Sequence, residues 1–335
     1  MRKFILVIAL VFSMVAQCFG EKIIERDLNR PIHTYSIVAR DPDSGQLGVA
    51  VQSHWFSVGP LVPWVEAGVG AVATQSFVEA SYGPLGLDLM RAGKSAPQAL
   101  KALVEIDPKR EVRQVAMIDS QGRVAAHTGK SCIIEAGHFI GDQFSVQANL
   151  MLKNTVWKAM AEAYQSTKGD LIERLMAALE AAENEGGDIR GRQSAAIIVV
   201  SGKPSGQVWR DRIIDLRVED HPNPIIELKR LVKVHRAYEH MNRGDEYLAQ
   251  ENVEAALKEY STAEQLTPDN VEMVFWHAVT LASLDRIEEC LPLFKKVFQT
   301  DYNWAVLLPR LPKSGLLPDK SELVKKILSV ASKKK

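Results

Sequence analysis

At "DHPNPIIELKRLV", residues 220–232, the hydrophobic period of this chain changes and does not change back. Before it, short runs rich in Val, Ala and Ile alternate with helix-patterned blocks; after Ile225 every block has a helical period. A strand repeats its faces every two residues and a helix every 3.6, so one pattern cannot occupy the other's structure. The chain must therefore build a mixed part over residues 34–224 and an all-helical part over residues 225–335. Pro222 and Pro224 punctuate the junction.

The first part opens with "PIHTYSIVARDPDSGQLGVAV", which predicts strand, turn and strand. In its Asp-Pro-Asp-Ser-Gly centre, Pro presets φ, Gly accepts a positive φ, and Asp and Ser side chains bond their own backbone. Thr34 and Ser36 would share one face of the first strand. "QLGVAVQSHWF" and "GVGAVATQSF" read as buried strands. "YGPLGLDLMRAG" and "SAPQALKALVEID" read as helices, the second with Ser95 as N-cap and Pro97 in its first turn. "RQVAMIDSQGRVAAHTG" predicts a hairpin about Ser120-Gln121-Gly122, and "CIIEAG" and "FSVQANL" predict further strands. Two amphipathic helices over residues 154–165 and 171–184 follow, then strands at "RQSAAIIVVSG" and "RIIDLRV". Strands that pair, with helices arriving in pairs, predict an α+β fold of two stacked sheets covered by helices on both outer faces.

In the helical part, residues 237–270 fit a thirty-four-residue tetratricopeptide unit, with Gly244, Tyr247, Ala256, Tyr260, Ala263 and Pro268 at its spacing. A second pass from Val271 places Ala278, Leu281, Leu284, Phe294 and Val297 similarly but lacks the closing proline. Two units seldom stand alone, so the final helix near residues 321–330, or the first part, should cover their apolar face. Such repeats bind segments of other proteins in a concave groove, which makes a protein partner an expectation.

The N-terminus reads as a secretory signal: Arg2 and Lys3, the apolar run Phe4 to Ala16, then Cys18-Phe19-Gly20 before charged Glu21. Cleavage after Gly20 would leave residues 21–33 as a leader and place the protein in the periplasm or outside the cell. The apolar run is short for a membrane span. Gln17 is bulky where a lipoprotein signal wants a small residue, which argues against a lipid anchor at Cys18. Export leaves only Cys132 and Cys290, in segments of different character, so no disulfide framework is expected. Forty-one basic and forty-one acidic residues balance to a formal charge of +0, giving no electrostatic footprint for nucleic acid.

Several apparent motifs fail on their spacing. "HTGKS" ends like a phosphate-binding loop, but Val124 stands where the first Gly belongs, and a strand-like run follows. Gly68 and Gly70 lack the third Gly of a dinucleotide fingerprint, and the histidines show no metal-ligand spacing. No cofactor and no metal are expected.

The segments "TYSIVARDPDSGQLGVAVQSHWFSVG", "VPWVEAGVGAVATQSF", "YGPLGLDLMRAG", "GRVAAHTG", "FSVQANLM", "GRQSAAIIVV" and "LRVEDHPNPIIELKRL" occur in order. Together, across residues 34–238, they resemble the bacterial family catalogued as domain of unknown function 1028. That family looks like a branch of the N-terminal-nucleophile (Ntn) hydrolases, four-layer α/β/β/α sandwiches that include proteasome subunits and several amidases. The resemblance implies an amidohydrolase acting on a small amide or peptide-like compound, although fold alone does not give function. In such enzymes the first residue of the mature chain is Thr, Ser or Cys, whose own α-amine takes the proton of the attacking group. The position that carries over is Thr34.

Other roles follow less directly. Ser36 shares the strand face of Thr34. Arg40 and Asp41, at the far end of the strand, would orient the amine or hold a substrate carboxylate, or simply be solvated. Asn149 reads as an oxyanion donor or as an Asn ending a strand in a turn. His54 reads as a base or substrate contact, or as a hydrogen-bonded core histidine. Arg190 and Arg192 would bind an anionic substrate or solvate a loop. Against the family pattern, Thr34 lies behind residues 21–33, so the amine exists only if the His33–Thr34 bond is cut. Left uncut, the chain would be a non-catalytic scaffold whose helical repeats do the binding, or would use His54 as base for an internal hydroxyl.

Overall fold

The computed structural model describes Ile32 and residues 34–331; the signal and leader assigned to residues 1–31 and His33 lie outside the described residues. Ten strands form two antiparallel sheets. The first has the order β10-β9-β2-β1-β8-β7, from β1 (Thr34–Arg40), β2 (Leu47–Ser53), β7 (Gly137–Gly141), β8 (Phe144–Ala148), β9 (Ser194–Val200) and β10 (Arg212–Val218). The second has the order β3-β4-β5-β6, from β3 (Pro63–Glu66), β4 (Gly70–Ser76), β5 (Arg113–Asp119) and β6 (Val124–Thr128).

Alternation along each strand decides what each sheet face meets. Tyr35, Ile37 and Ala39 of β1 pack against α3 (Val156–Ser166) and α4 (Leu171–Asn184). Val72, Val115 and Met117 pack against α1 (Tyr82–Arg91) and α2 (Ala96–Ile106). The opposite faces, among them Val38, Val49, Val51, Ala73 and Ile118, are buried between the sheets. The layer order is α/β/β/α, as the resemblance implied.

The local turn chemistry holds. Asp41 Oδ1 accepts the amides of Asp43 and Ser44, and Gly45 takes φ 73°. Ser95 caps α2 in a reciprocal box with Gln98, and Gly122 closes the β5–β6 hairpin at φ 80°. One expected strand is absent: residues 132–136 form a loop, in which Glu135 adopts φ 54° and Ile134 is 80% exposed. Pairing begins only at Gly137, and "GHFIG" becomes β7, at the sheet edge, where an irregular apolar pattern costs little. Cys132 and Cys290 are both free thiols.

A short α5 (Val208–Asp211) precedes β10, and α6 (Pro224–Ala249) begins at the proline pair. It serves two cores: Ile225, Leu228 and Val232 join the sheet core, while Ala237 and Met241 join a helical cluster. The helical region continues through α7 (Val253–Leu266), α8 (Val271–Ser283), α9 (Ile287–Thr300), α10 (Asn303–Leu307) and α11 (Ser321–Leu328), and Ile327 of α11 packs into the apolar cluster of α8 and α9. No helix among the described residues is long and apolar enough to cross a membrane.

Gly244 lets α6 and α7 approach. A Cβ there would stand 2.3 Å from Cε1 of Tyr260, a ring that is fully buried with its hydroxyl 2.7 Å from Asp245 Oδ1. Alanine would gain about 1 kcal/mol of helix propensity, but overpacking costs about 1–3 kcal/mol, and the tethered ring cannot withdraw. Gly244→Ala is expected to lower the thermal midpoint; a rise would show that the ring yields.

Candidate active site

Thr34 opens β1 at the end of the sandwich where both sheets turn polar. It is fully buried, and its Oγ1 lies 2.9 Å from the Ile32 carbonyl oxygen and 3.2 Å from Ser53 Oγ. Ser53 is its cross-strand partner, so the two hydroxyls face the same way by register. The Thr34 carbonyl accepts Gln75 Nε2 at 3.1 Å and the Asn149 backbone amide at 3.2 Å.

Behind Thr34 a buried polar network joins the two sheets. Ser36 Oγ donates to Gln75 Oε1 and accepts Gln147 Nε2, each at 2.6 Å. Gln75 Nε2 also reaches Gln114 Oε1 at 2.7 Å, and Asn149 Nδ2 reaches the same oxygen at 2.9 Å. Gln114 Nε2 donates onward to Thr128 Oγ1 at 2.9 Å, which is 2.8 Å from His138 Nδ1. Burial, with the neighbouring His127 adding to it, holds His138 below the ordinary imidazole value. A satisfied network of this kind in a low-dielectric layer rigidifies what it touches.

The structure brings together Thr34, Ser36 and Asn149 and leaves Arg40 and Asp41 elsewhere. Both Ser36 hydrogen-bonding directions are used inside the network, which suits positioning. Asn149 follows β8, and its backbone amide and its side chain both face the Thr34 carbonyl, the side chain at 3.5 Å. Arg40 binds Gln143 Oε1 at the opposite end of β1. Asp41 closes its turn; against the burial that would raise it, hydrogen bonds from Ser44 and Asp43 and the Arg174 charge hold its carboxyl below the usual value. A seven-residue strand spans roughly 20 Å, so neither side chain touches the Thr34 end. His54 follows Ser53, donates its backbone amide to Asp188 Oδ2 at 3.2 Å, and has a buried, unpartnered Nδ1. Arg190 chelates that same Asp188, with Nη2–Oδ2 at 2.7 Å and Nε–Oδ1 at 3.1 Å, and Arg192 pairs with Glu183.

The reading of the sequence missed Gln75, Gln114, Gln147, Ser53 and Asp188. For Gln75 and Gln147 the signal was present: "TQS" and "VQA" each put a Gln near the end of a mostly apolar strand. Both are buried, and a buried amide usually finds partners. Cys132, beside Ser76 through its bond to the Arg113 carbonyl, is the neighbouring thiol. Burial pushes that thiol up, so it is no thiolate nucleophile. It lines a groove of about 630 Å³ with Thr128, Glu135, His138, Asn154 and Trp157. No group of three or more His, Cys, Asp or Glu gathers as a metal site among the described residues.

No curated protein matches the chain. Among solved structures, it is similar to protein SPO2555 from Silicibacter pomeroyi, of the DUF1028 family, with 31% identity over 60% of this chain and 88% of that one, at a TM-score of 0.54. Anbu (ancestral beta-subunit) from Yersinia bercovieri also aligns, at 10% identity over 58% of this chain and 91% of that one. Its TM-score of 0.29 is too low to bear on the fold. The model of the family of unknown function DUF1028 matches residues 34–228, a span running from the buried hydroxyl at Thr34 through the whole sandwich to the first turns of α6. With more than half of its length so matched, the chain belongs to the DUF1028 family.

Proposed function

We propose that this protein is an exported amidohydrolase of the Ntn type, with Thr34 as nucleophile once the His33–Thr34 bond is cut. What supports the reading is the placement of Thr34: it begins the central strand of a four-layer sandwich, its hydroxyl lies beside Ser53, and its carbonyl is fixed by Gln75 and Asn149. Cleavage gives the residue a free α-amine with an unperturbed pKa of about 7.7–8.0, suited to take the hydroxyl proton near neutral pH. Self-cleavage would run by attack of Thr34 Oγ1 on the His33 carbonyl, moving the acyl group from nitrogen to oxygen. Water then opens the ester, leaving a carboxylate on His33 and the amine on Thr34. In turnover the same oxygen attacks a small amide or peptide-like substrate, with Asn149 as donor to the developing oxyanion.

A second reading, a non-catalytic scaffold with tetratricopeptide-like repeats, is favoured by a groove of about 610 Å³ in the helical region. Its lining includes Tyr238, Asp245, Glu272, Trp276 and Leu316, an apolar and acidic surface suited to a basic apolar protein segment. One experiment separates the two. Protein beginning at Thr34 and protein retaining residues 21–33 are assayed on a panel of amides and peptide amides. The enzyme reading expects turnover only from protein whose intact mass shows Thr34 as its first residue, abolished when its amine is acetylated. Turnover by neither form supports the scaffold, and equal turnover by both removes the amine from the mechanism.

A further inference from the structure

Ile32 is held as a strand residue would be. Its amide donates to the Ser76 carbonyl at 2.6 Å, the Ser76 amide donates to its carbonyl at 2.9 Å, and it is fully buried. Ser76 ends β4 with φ 72°, opposite Arg113 of β5, and bridges to Ile32. The Ile32 carbonyl also faces Thr34 Oγ1 at 2.9 Å. Two residues on either side of His33 are thus clamped, Ile32 by the Ser76 backbone and Thr34 by Gln75 and Asn149.

We infer that the place of Ile32 is an acyl-side subsite, and that the substrate is an extended peptide with an aliphatic residue second from the scissile carbonyl. The inference rests on the reading that Thr34 becomes the amino terminus. When Ile32 leaves, the Ser76 amide and carbonyl lose the partners that Ile32 supplied. Buried backbone groups are almost always paired, so the slot takes another extended backbone. A simple amide has no second amide and carbonyl to offer Ser76. The place buries the Ile32 side chain completely, which suits an aliphatic residue, and while Ile32 remains the slot is closed.

The test reads binding, apart from hydrolysis, in the whole chain. Fluorescein-labelled Leu-Asn-Arg-Pro-Ile-His, the sequence of residues 28–33, is titrated by anisotropy against the wild-type chain and against Ile32→Asp. Full burial disfavours a carboxylate, so the variant is expected to bind the probe and the wild type, its His33–Thr34 bond intact by mass, is not. Replacing the probe's Ile by Gly should weaken binding roughly ten- to hundredfold, and by Asp abolish it. Ile32→Gly serves if Ile32→Asp fails to fold by circular dichroism. Equal binding to wild type and variant, indifference to the probe's aliphatic residue, or no binding to a folded variant overturns the subsite. Binding without any amide turnover would instead leave the subsite standing and remove the enzyme.

Discussion

Thr34→Ala, prepared with residue 34 as its first residue, is expected to lose amide turnover by on the order of 10⁴-fold or more, because nucleophile and base occupy one residue and act as a unit. Thr34→Ser should keep measurable turnover, since it retains both the hydroxyl and the amine. The loss should appear in kcat, because the missing oxygen forms its bond only on the way to the transition state. The fold should survive: in protein beginning at residue 34 the side-chain contact removed is that to Ser53 Oγ, and one hydrogen bond contributes about 1 kcal/mol. Circular dichroism and urea unfolding check the second statement, and steady-state kinetics the first. Turnover retained by a folded Thr34→Ala protein would move the nucleophile elsewhere.

Gln114→Leu is expected to destabilise the sandwich by about 3–5 kcal/mol, a large share of the ~5–15 kcal/mol that holds a typical protein folded. The shape of the side chain is nearly conserved, so the effect comes from polarity. Its Nε2 serves Thr128 Oγ1, the Gly137 carbonyl at 3.1 Å and the Ala148 carbonyl at 2.9 Å. Its Oε1 accepts from both Gln75 and Asn149. Leucine strips partners from groups on both sheets that stay buried. Urea unfolding measures the loss, with exposed Gln121→Leu as a control expected within about 0.5 kcal/mol of wild type. A loss below about 1 kcal/mol at Gln114 would show that the layer between the sheets admits water.

These two residues also show how far local pattern reaches. Thr34 was singled out by the family resemblance; strand and turn chemistry placed it only at the start of a strand. Gln114 was not singled out, because "RQVAM" reads the same whether its Gln faces water or another sheet. Asp41 teaches the converse. Its sequence position beside Arg40 suggested a substrate contact, yet its carboxylate closes the turn that the same residues predicted.

By itself the sequence determined the two periods and the change between them, the cap at Ser95 and the turn at Gly122, because each depends on residues close along the chain; the resemblance, spread over the domain, gave the sandwich. Tertiary structure alone decided the loop at residues 132–136, the sharing of α6 between two cores, and the meeting of Gln75, Gln114, Gln147 and Asn149 behind Thr34. Those outcomes depend on which faces touch across two sheets. A hydrogen bond between residues 111 positions apart, as between Ser36 and Gln147, leaves no period in the sequence to read.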